Sequence, residues 1–119
     1  MLLFCWILSF QEPSAPPHNI RAQAPVEDAS TKLKVTWEPP SLALANGQIA
    51  GYKLFYLPES QSEDSSASII RITNATQNSI EIDNLEVWTK YKVWMSAYTS
   101  VGDGPASLKV IGRTGQSGT

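Results

Sequence analysis

The amino-acid sequence predicts an all-β fold in which two sheets pack face to face as a sandwich. From His18 onward, short runs of β-branched and aromatic residues alternate between apolar and polar positions, and clusters of Gly, Pro, Asn, Asp and Ser separate these runs. No long stretch carries the 3.6-residue apolar period of a helix. The chain has 119 residues, of which 42% are hydrophobic and 17% are charged, and this composition suits one compact domain.

The clearest predicted strand covers residues 32–37, where every second residue is apolar. Leu33, Val35 and Trp37 share one face, which we expect to point into the core, while the residues between them face solvent. Two prolines follow and end the strand, because proline cannot donate a hydrogen bond to a sheet. Trp37 is therefore predicted to be a core residue.

The third and sixth strands are predicted at residues 51–57 and 91–98, and the sixth is the longest run in the chain. Alternation divides each into an inner and an outer set of side chains. The predicted inner residues include Tyr52, Leu54, Tyr91 and Val93. Further strands at residues 19–23, 68–73, 79–82 and 107–113 complete a set of seven, the number expected of an immunoglobulin-like sandwich.

The predicted domain occupies residues 16–114. Residues 1–15 form an apolar leader and the start of a proline-rich linker, and residues 115–119 are predicted to be a flexible tail. The leader is shorter than the roughly 20 residues of a membrane span, so we expect no membrane insertion. Its length matches the hydrophobic region of a signal peptide, but no basic residue precedes it and no clear cleavage site follows. A working signal peptide and an incidental leader both stay open.

Several linked motifs resemble the fibronectin type III family. A core Trp followed by a proline pair occurs in residues 35–40, and residues 51–56 have the Gly-Tyr-x-aliphatic-x-Tyr pattern of the family's third strand. Leu85 is followed six residues later by Tyr91, which is similar to the family's tyrosine corner. The Gly-Asp-Gly-Pro-Ala-Ser run of residues 102–107 looks like the turn after the sixth strand. The resemblance covers nearly the whole predicted domain.

The resemblance implies structural roles for Leu85 and Tyr91, whose hydroxyl would bond to a backbone group a few residues upstream. Family members usually have Pro-Gly between these residues, whereas this chain has Val87-Trp88. We therefore expect a wider crossing there, with Trp88 partly exposed. The sequence looks most like domains of cell-surface adhesion and guidance receptors and of receptor tyrosine phosphatases. Such domains usually occur in tandem arrays, so the resemblance implies a fragment or short product of a larger ectodomain. The expected location is accordingly extracellular or at the cell surface, with secretion if the leader functions.

Charge and residue inventory argue against several classes of function. The net charge is −2 and the basic residues are scattered, so nucleic acid is not an expected partner. Cys5 is the only cysteine and lies in the leader, so the predicted domain has no internal disulfide and no thiolate metal site. His18 is the only histidine, and no serine motif of a hydrolase accompanies it. We expect no enzyme activity, no cofactor and no bound metal.

Phe55, Trp94 and Tyr98 form the candidate contact patch. Alternation directs all three away from the core, on strands that should be neighbours, and exposed aromatic clusters often mark binding surfaces. The alternative is that a loop, or the stems of Lys53 and Lys92, covers the rings. The chain is accordingly either a module that binds a protein partner or neighbouring ectodomain module, or a passive spacer in a tandem array. In isolation we expect a monomer.

Asn74, Ala75 and Thr76 form an acceptor sequence for N-linked glycosylation. The motif falls between two predicted strands, where the Asn74 side chain can face solvent. We predict a glycan on Asn74 if the chain is secreted by animal cells. The alternative is an ordinary turn asparagine.

Overall fold

The structure is a computed structural model that describes residues 13–25, 31–41, 48–62 and 64–116. The predicted leader at residues 1–10 and the last three residues of the predicted tail lie outside these ranges. No helix among the described residues is both long and apolar enough to cross a membrane. The described elements are β1 (His18–Gln23), β2 (Leu33–Glu38), β3 (Gly51–Pro58), a 3₁₀ turn (Asp64–Ser66), β4 (Ser68–Ile72), β5 (Ser79–Ile82), β6 (Lys90–Tyr98) and β7 (Val110–Arg113).

These strands form two antiparallel sheets, with the orders β1-β2-β5 and β4-β3-β6-β7. The arrangement confirms the predicted all-β, seven-stranded, immunoglobulin-like two-sheet sandwich. The last strand is shorter than predicted, because it begins at Val110 rather than Ser107. At Ser107 the backbone N–H donates to Met95 O at 2.7 Å, but the hydroxyl, not the carbonyl, accepts from Met95 N at 3.0 Å. A side chain thus replaces one hydrogen bond of the regular ladder.

The core lies between the two sheets and follows the predicted alternation. The six residues predicted to be structural are all buried in it: Trp37, Tyr52, Leu54, Leu85, Tyr91 and Val93. Trp37 from the three-stranded sheet packs edge-on against Tyr52 from the four-stranded sheet, with ring centroids 5.5 Å apart and planes at 64°. Burying an apolar side chain of this size contributes about 1.5–3 kcal/mol. Burial of the core residues between the two sheets therefore supplies much of the driving force for folding.

The Tyr52 hydroxyl donates to Ala75 O at 3.4 Å. Burial raises the pKa of this phenol, and the nearby Trp37 indole lowers it by a smaller amount. The two side chains are close, yet the buried Trp37 Nε1–H finds no acceptor with hydrogen-bond geometry in the described part of the chain. The contact between Trp37 and Tyr52 is therefore a packing contact in the first place.

The tyrosine corner is closed by one hydrogen bond, in which Glu86 N donates to Tyr91 Oη at 2.9 Å. The residue that follows β7 supports the same crossing. Thr114, which is buried, donates from its hydroxyl to Glu86 O at 2.6 Å and accepts from Thr89 N at 2.9 Å. Three hydrogen bonds between side chains and backbone thus fix the passage from one sheet to the other.

Trp88 lies in this corner, at the position where family members usually have the glycine of a Pro-Gly pair. Its φ of 49° is in the left-handed region, which glycine adopts readily and other residues adopt at a cost of about 1–2 kcal/mol. The glycine of the usual Pro-Gly pair would be suited to such a position. The side chain is 52% exposed, as the sequence predicted, and the Arg113 guanidinium lies 4.5 Å from its ring centroid.

Replacing the corner hydroxyl should weaken the domain. Tyr91→Phe leaves the partly buried Glu86 N–H without its acceptor, so we expect the free energy of unfolding to fall by about 1–3 kcal/mol. Urea denaturation followed by far-UV circular dichroism measures this difference. The control is Tyr56→Phe, which removes a hydroxyl from a neighbouring ring that packs edge-on against Tyr91 at 6.5 Å. Equal losses in the two variants would contradict a special role for the corner hydrogen bond.

Candidate functional site

The outer surface of the four-stranded sheet brings two residues of the predicted patch into direct contact. Phe55 on β3 pairs with Trp94 on β6, and their rings stack with centroids 5.6 Å apart and planes at 8°. Phe55 also pairs with Ile69 on the edge strand β4, and the Ile69 side chain is 59% exposed. Ile69, Phe55 and Trp94 therefore form one apolar row across three strands.

Tyr98 does not join this row. It pairs with Gly51 at the start of β3, and its hydroxyl donates to Ile72 O at 3.4 Å. A Cβ at Gly51 would collide with the Ile72 carbonyl oxygen and with the Tyr98 hydroxyl. Glycine is required there because the tyrosine ring lies directly on the backbone. The Arg71 guanidinium, 4.7 Å from the ring centroid, covers the ring from the solvent side.

The predicted exposure of Trp94 and Tyr98 is not what the structure has, since each residue is only 7% exposed. Cationic side chains cover the rings, although not those considered from the sequence. Lys109 Nζ lies 5.0 Å from the Trp94 ring centroid, and Arg71 lies over Tyr98. A cation over an aromatic face is attracted by the ring quadrupole while its stem excludes water.

Lys53 and Lys92, which the alternative interpretation placed across the rings, make their contacts elsewhere. Lys53 Nζ contacts Asp103 Oδ2 at 2.7 Å, and Lys92 Nζ donates to Gln61 O at the same distance. These contacts direct both ammonium groups toward the loops at the margins of the sheet. The sheet thus presents an apolar row at its centre and paired cations around it.

A second exposed isoleucine completes this surface. Ile111 on β7 pairs with Lys92 on β6, so it lies on the same side of the sheet as Trp94, and it is 47% exposed. We call the surface made by Ile69, Phe55, Trp94 and Ile111 the outer face. Neither isoleucine was among the contact residues predicted from the sequence, although strand alternation indicates both, because each lies one residue from a side chain that packs against the core, Ile70 or Val110.

Lys109 is held over Trp94 by the 3₁₀ turn that precedes β4. Lys109 Nζ lies 2.7 Å from Asp64 Oδ2, and Lys92 Nζ lies 4.0 Å from Asp64 Oδ1. The hydrogen bond from Lys109 is the main cause that lowers the pKa of the Asp64 carboxyl, and desolvation opposes it. Nothing in the local sequence indicates this contact, because residues 64 and 109 are far apart in the chain and come together only when the domain folds.

The described residues provide no cluster of His, Cys, Asp and Glu that could hold a metal ion. His18, the sole histidine of the chain, lies at the start of β1 with Nε2 3.2 Å from Glu38 Oε1, and both side chains are more than half exposed. This pair is open to solvent and joins β1 to β2 in the three-stranded sheet.

Removing the cation above Trp94 should expose the indole without unfolding the domain. For Lys109→Ala we expect a higher acrylamide quenching constant for Trp94, and a loss of stability of about 1 kcal/mol or less, because exposed ion pairs and cation–π contacts contribute little. The measurement uses a Trp6→Phe, Trp88→Phe background, which leaves Trp37 and Trp94. Lys34→Ala, an exposed lysine on the other sheet, is the matched control. Equal quenching in both variants would contradict the covering role of Lys109.

The position of Lys109 should also depend on pH. Because the pKa of Asp64 is lower in the folded chain than in the unfolded chain, its interaction with Lys109 is present above the ordinary carboxylate pKa. It is lost as the pH falls through the lowered value. We expect acrylamide quenching of Trp94 to rise over that acidic range and the rise to be absent in Asp64→Asn. A rise that persists in the variant would assign the effect to another carboxylate.

Comparison with known proteins places these features in a family. A model of the fibronectin type III domain matches residues 15–113. Tyrosine-protein phosphatase Lar of Drosophila melanogaster is 39% identical over 102 residues, and human receptor-type tyrosine-protein phosphatase F is 36% identical over the same length. Each match covers 86% of this chain but only 5% of the relative, so the chain spans a small part of the proteins it resembles.

Solved structures agree on the fold. The crystal structure of the chicken CNTN1 FN1-FN3 domains superposes with a TM-score of 0.73 at 21% sequence identity, over 87% of this chain and 33% of that one. At this identity the likeness concerns the fold alone. The family model spans all seven strands and the tyrosine corner, and the chain therefore belongs to the fibronectin type III domain family.

Proposed function

We propose that this chain is a non-enzymatic protein–protein interaction module of a cell-surface or extracellular receptor, and that it binds its partner through the outer face. The observation that carries the proposal is the apolar row of Ile69, Phe55 and Trp94, which runs across three strands with its edge exposed. The relatives that include a receptor-type phosphatase support the receptor context.

The row is suited to binding because its geometry is set before a partner arrives. Phe55 and Trp94 are held by sheet pairing and by stacking on each other, so contact with them orders few side chains. Rigid aromatic surface of this kind contributes binding energy at a low cost in conformational entropy. Ile69 and Ile111 extend the apolar area on either side, and both are open to solvent.

The covering lysine is compatible with this role. Lys109 is 41% exposed and rests on Trp94 through one cation–π contact and one ion pair, each of which contributes little at an exposed position. A partner that presents an apolar side chain can displace the lysine stem and gain the buried area of the indole. We therefore expect a partner surface with an apolar centre.

The test is binding of the chain to extracellular domains of animal cell-surface proteins. The chain is biotinylated, made multivalent on streptavidin to detect weak contacts, and applied to an array of purified ectodomains. For each ectodomain that binds, we expect Ile69→Lys to weaken binding about tenfold or more, because burial of an isoleucine is worth about 1.5–3 kcal/mol. The readout is the equilibrium dissociation constant of the monomeric chain.

The matched control is Leu108→Lys, which makes the same kind of change at a residue that is 90% exposed and lies outside the row. Both variants should unfold at nearly the same denaturant concentration as the parent chain. Equal binding by Ile69→Lys and Leu108→Lys would overturn the assignment of the outer face as the binding surface.

A passive spacer in a tandem array is the second candidate, and one observation favours it. Where the domain ends, Trp88 N donates to Gly115 O at 2.9 Å and Thr114 N donates to Thr89 O at 3.1 Å. These bonds hold the departing chain against the corner, so a following module would leave in a defined direction. A chain that binds no ectodomain in the array would favour the spacer.

A further inference from the structure

The loop between β4 and β5 contains the acceptor sequence formed by Asn74, Ala75 and Thr76, and this is the only such sequence in the chain. Asn74 and Thr76 are both exposed, and neither belongs to a strand. A modifying enzyme can therefore reach the Asn74 amide without disturbing a sheet. The middle residue is alanine, so the backbone N–H groups of the turn are intact.

Hydrogen bonds within the turn occupy one end of the Asn74 amide. Thr76 N donates to Asn74 Oδ1 at 3.0 Å, and Thr76 Oγ1 donates to the same oxygen at 2.7 Å. The backbone closes the turn as well, because Gln77 N donates to Asn74 O at 3.1 Å. With Oδ1 engaged by both groups of Thr76, the amide nitrogen Nδ2 is the end of the side chain that points away from the turn.

We infer that Asn74 carries an N-linked glycan through Nδ2, and that this glycan covers the groove at its end of the sandwich. The inference rests on the extracellular location that is part of the proposed function. The bond that forms joins Nδ2 to the anomeric carbon of an oligosaccharide carried on a lipid diphosphate. The bond between that carbon and the diphosphate oxygen breaks, the diphosphate leaves with the electron pair, and Nδ2 loses one proton to a base.

The groove next to Asn74 explains what the glycan would cover. It is lined by residues of three connections: Gln48, Ile49 and Ala50 before β3, Thr73 to Thr76 after β4, and Ser100 after β6. Asn74 lies on the rim of this groove. A bulky, hydrated sugar chain attached there keeps a protein partner away from all three connections.

The same placement leaves the centre of the outer face open. Ile69 lies three residues before the end of β4 at Ile72, and a strand advances about 3.3 Å per residue, so the apolar row is roughly 10 Å from the end of the strand that leads to Asn74. Tyr98 and Arg71 lie nearer the modified end, because Tyr98 bonds to Ile72, the last residue of β4. The glycan therefore restricts a partner of the outer face to the part that holds Phe55 and Trp94.

The first experiment measures glycan occupancy. The full chain, fused to a vertebrate signal peptide, is expressed in cultured animal cells, and the intact masses of the secreted and retained chains are measured before and after treatment with peptide N-glycosidase F. We expect an added oligosaccharide mass that the enzyme removes, with aspartate left at position 74. Thr76→Ala should abolish the added mass, whereas Thr76→Ser, which keeps the hydroxyl, should retain it. An enzyme-insensitive mass equal to that of the bare chain would overturn the inference.

The second experiment tests the covering of the groove. In a Cys5→Ser background, a cysteine is placed on the rim as Ser100→Cys and, as the matched control, in the loop that follows β3 as Ser60→Cys. We expect a maleimide-linked polymer to label the rim cysteine several-fold more slowly when the glycan is present than after its removal, with no such difference at the control position. Equal rates at the rim with and without the glycan would overturn the covering role.

These outcomes are distinguishable from failure of the proposed function. Binding to the ectodomain array can be measured with chain produced in bacteria, which adds no glycan of this kind. A bare Asn74 with intact binding would remove only the inference, and a glycosylated chain that binds nothing would remove only the interaction module.

Discussion

The contact between Trp37 and Tyr52 joins the two sheets inside the sandwich. The direction in which Phe55 and the rest of the outer face point depends on this contact. Trp37 comes from the three-stranded sheet and Tyr52 from the four-stranded sheet, and both rings are almost completely buried. Because successive side chains of a strand point to opposite faces, fixing Tyr52 inward also fixes Phe55 outward. The outer face is thus a consequence of how the core is packed.

Because alternation along a strand decides which residues face the core, much of the fold could be predicted from the sequence. Alternation is a local property, so the run from Leu33 to Trp37 and the long run of β6 could be assigned to strands and divided into two faces without knowledge of their neighbours. The tyrosine corner was accessible for a related reason, since Tyr91 and its partner Glu86 are only five residues apart. Its glycine position, now occupied by Trp88, was visible in the same short segment.

The exposure of the candidate patch could not be predicted in the same way. Alternation states which side of a sheet a residue occupies, but it does not state what else lies on that side. Trp94 is covered because Lys109 reaches across from the segment before β7, and Lys109 is held there by Asp64 from a turn much earlier in the chain. Long charged side chains are normally assigned to solvent, and here their stems complete a hydrophobic surface. Tyr98 is covered by Arg71 in the same manner.

The bonds around Thr114 have a mechanical consequence. A module pulled from its two ends is loaded first where the chain enters and leaves it. Here Thr114, the residue after β7, is held by its hydroxyl, which bonds to both Glu86 and Thr89. The entry strand β1 runs beside β7, with Ala22 packed against Gly112 so closely that no side chain fits between them. Tension would therefore act on the hydrogen bonds of Thr114 and on this close strand contact before it reached Trp37 and Tyr52. Loss of these few hydrogen bonds would let the end of the chain extend while the core between the sheets stays packed.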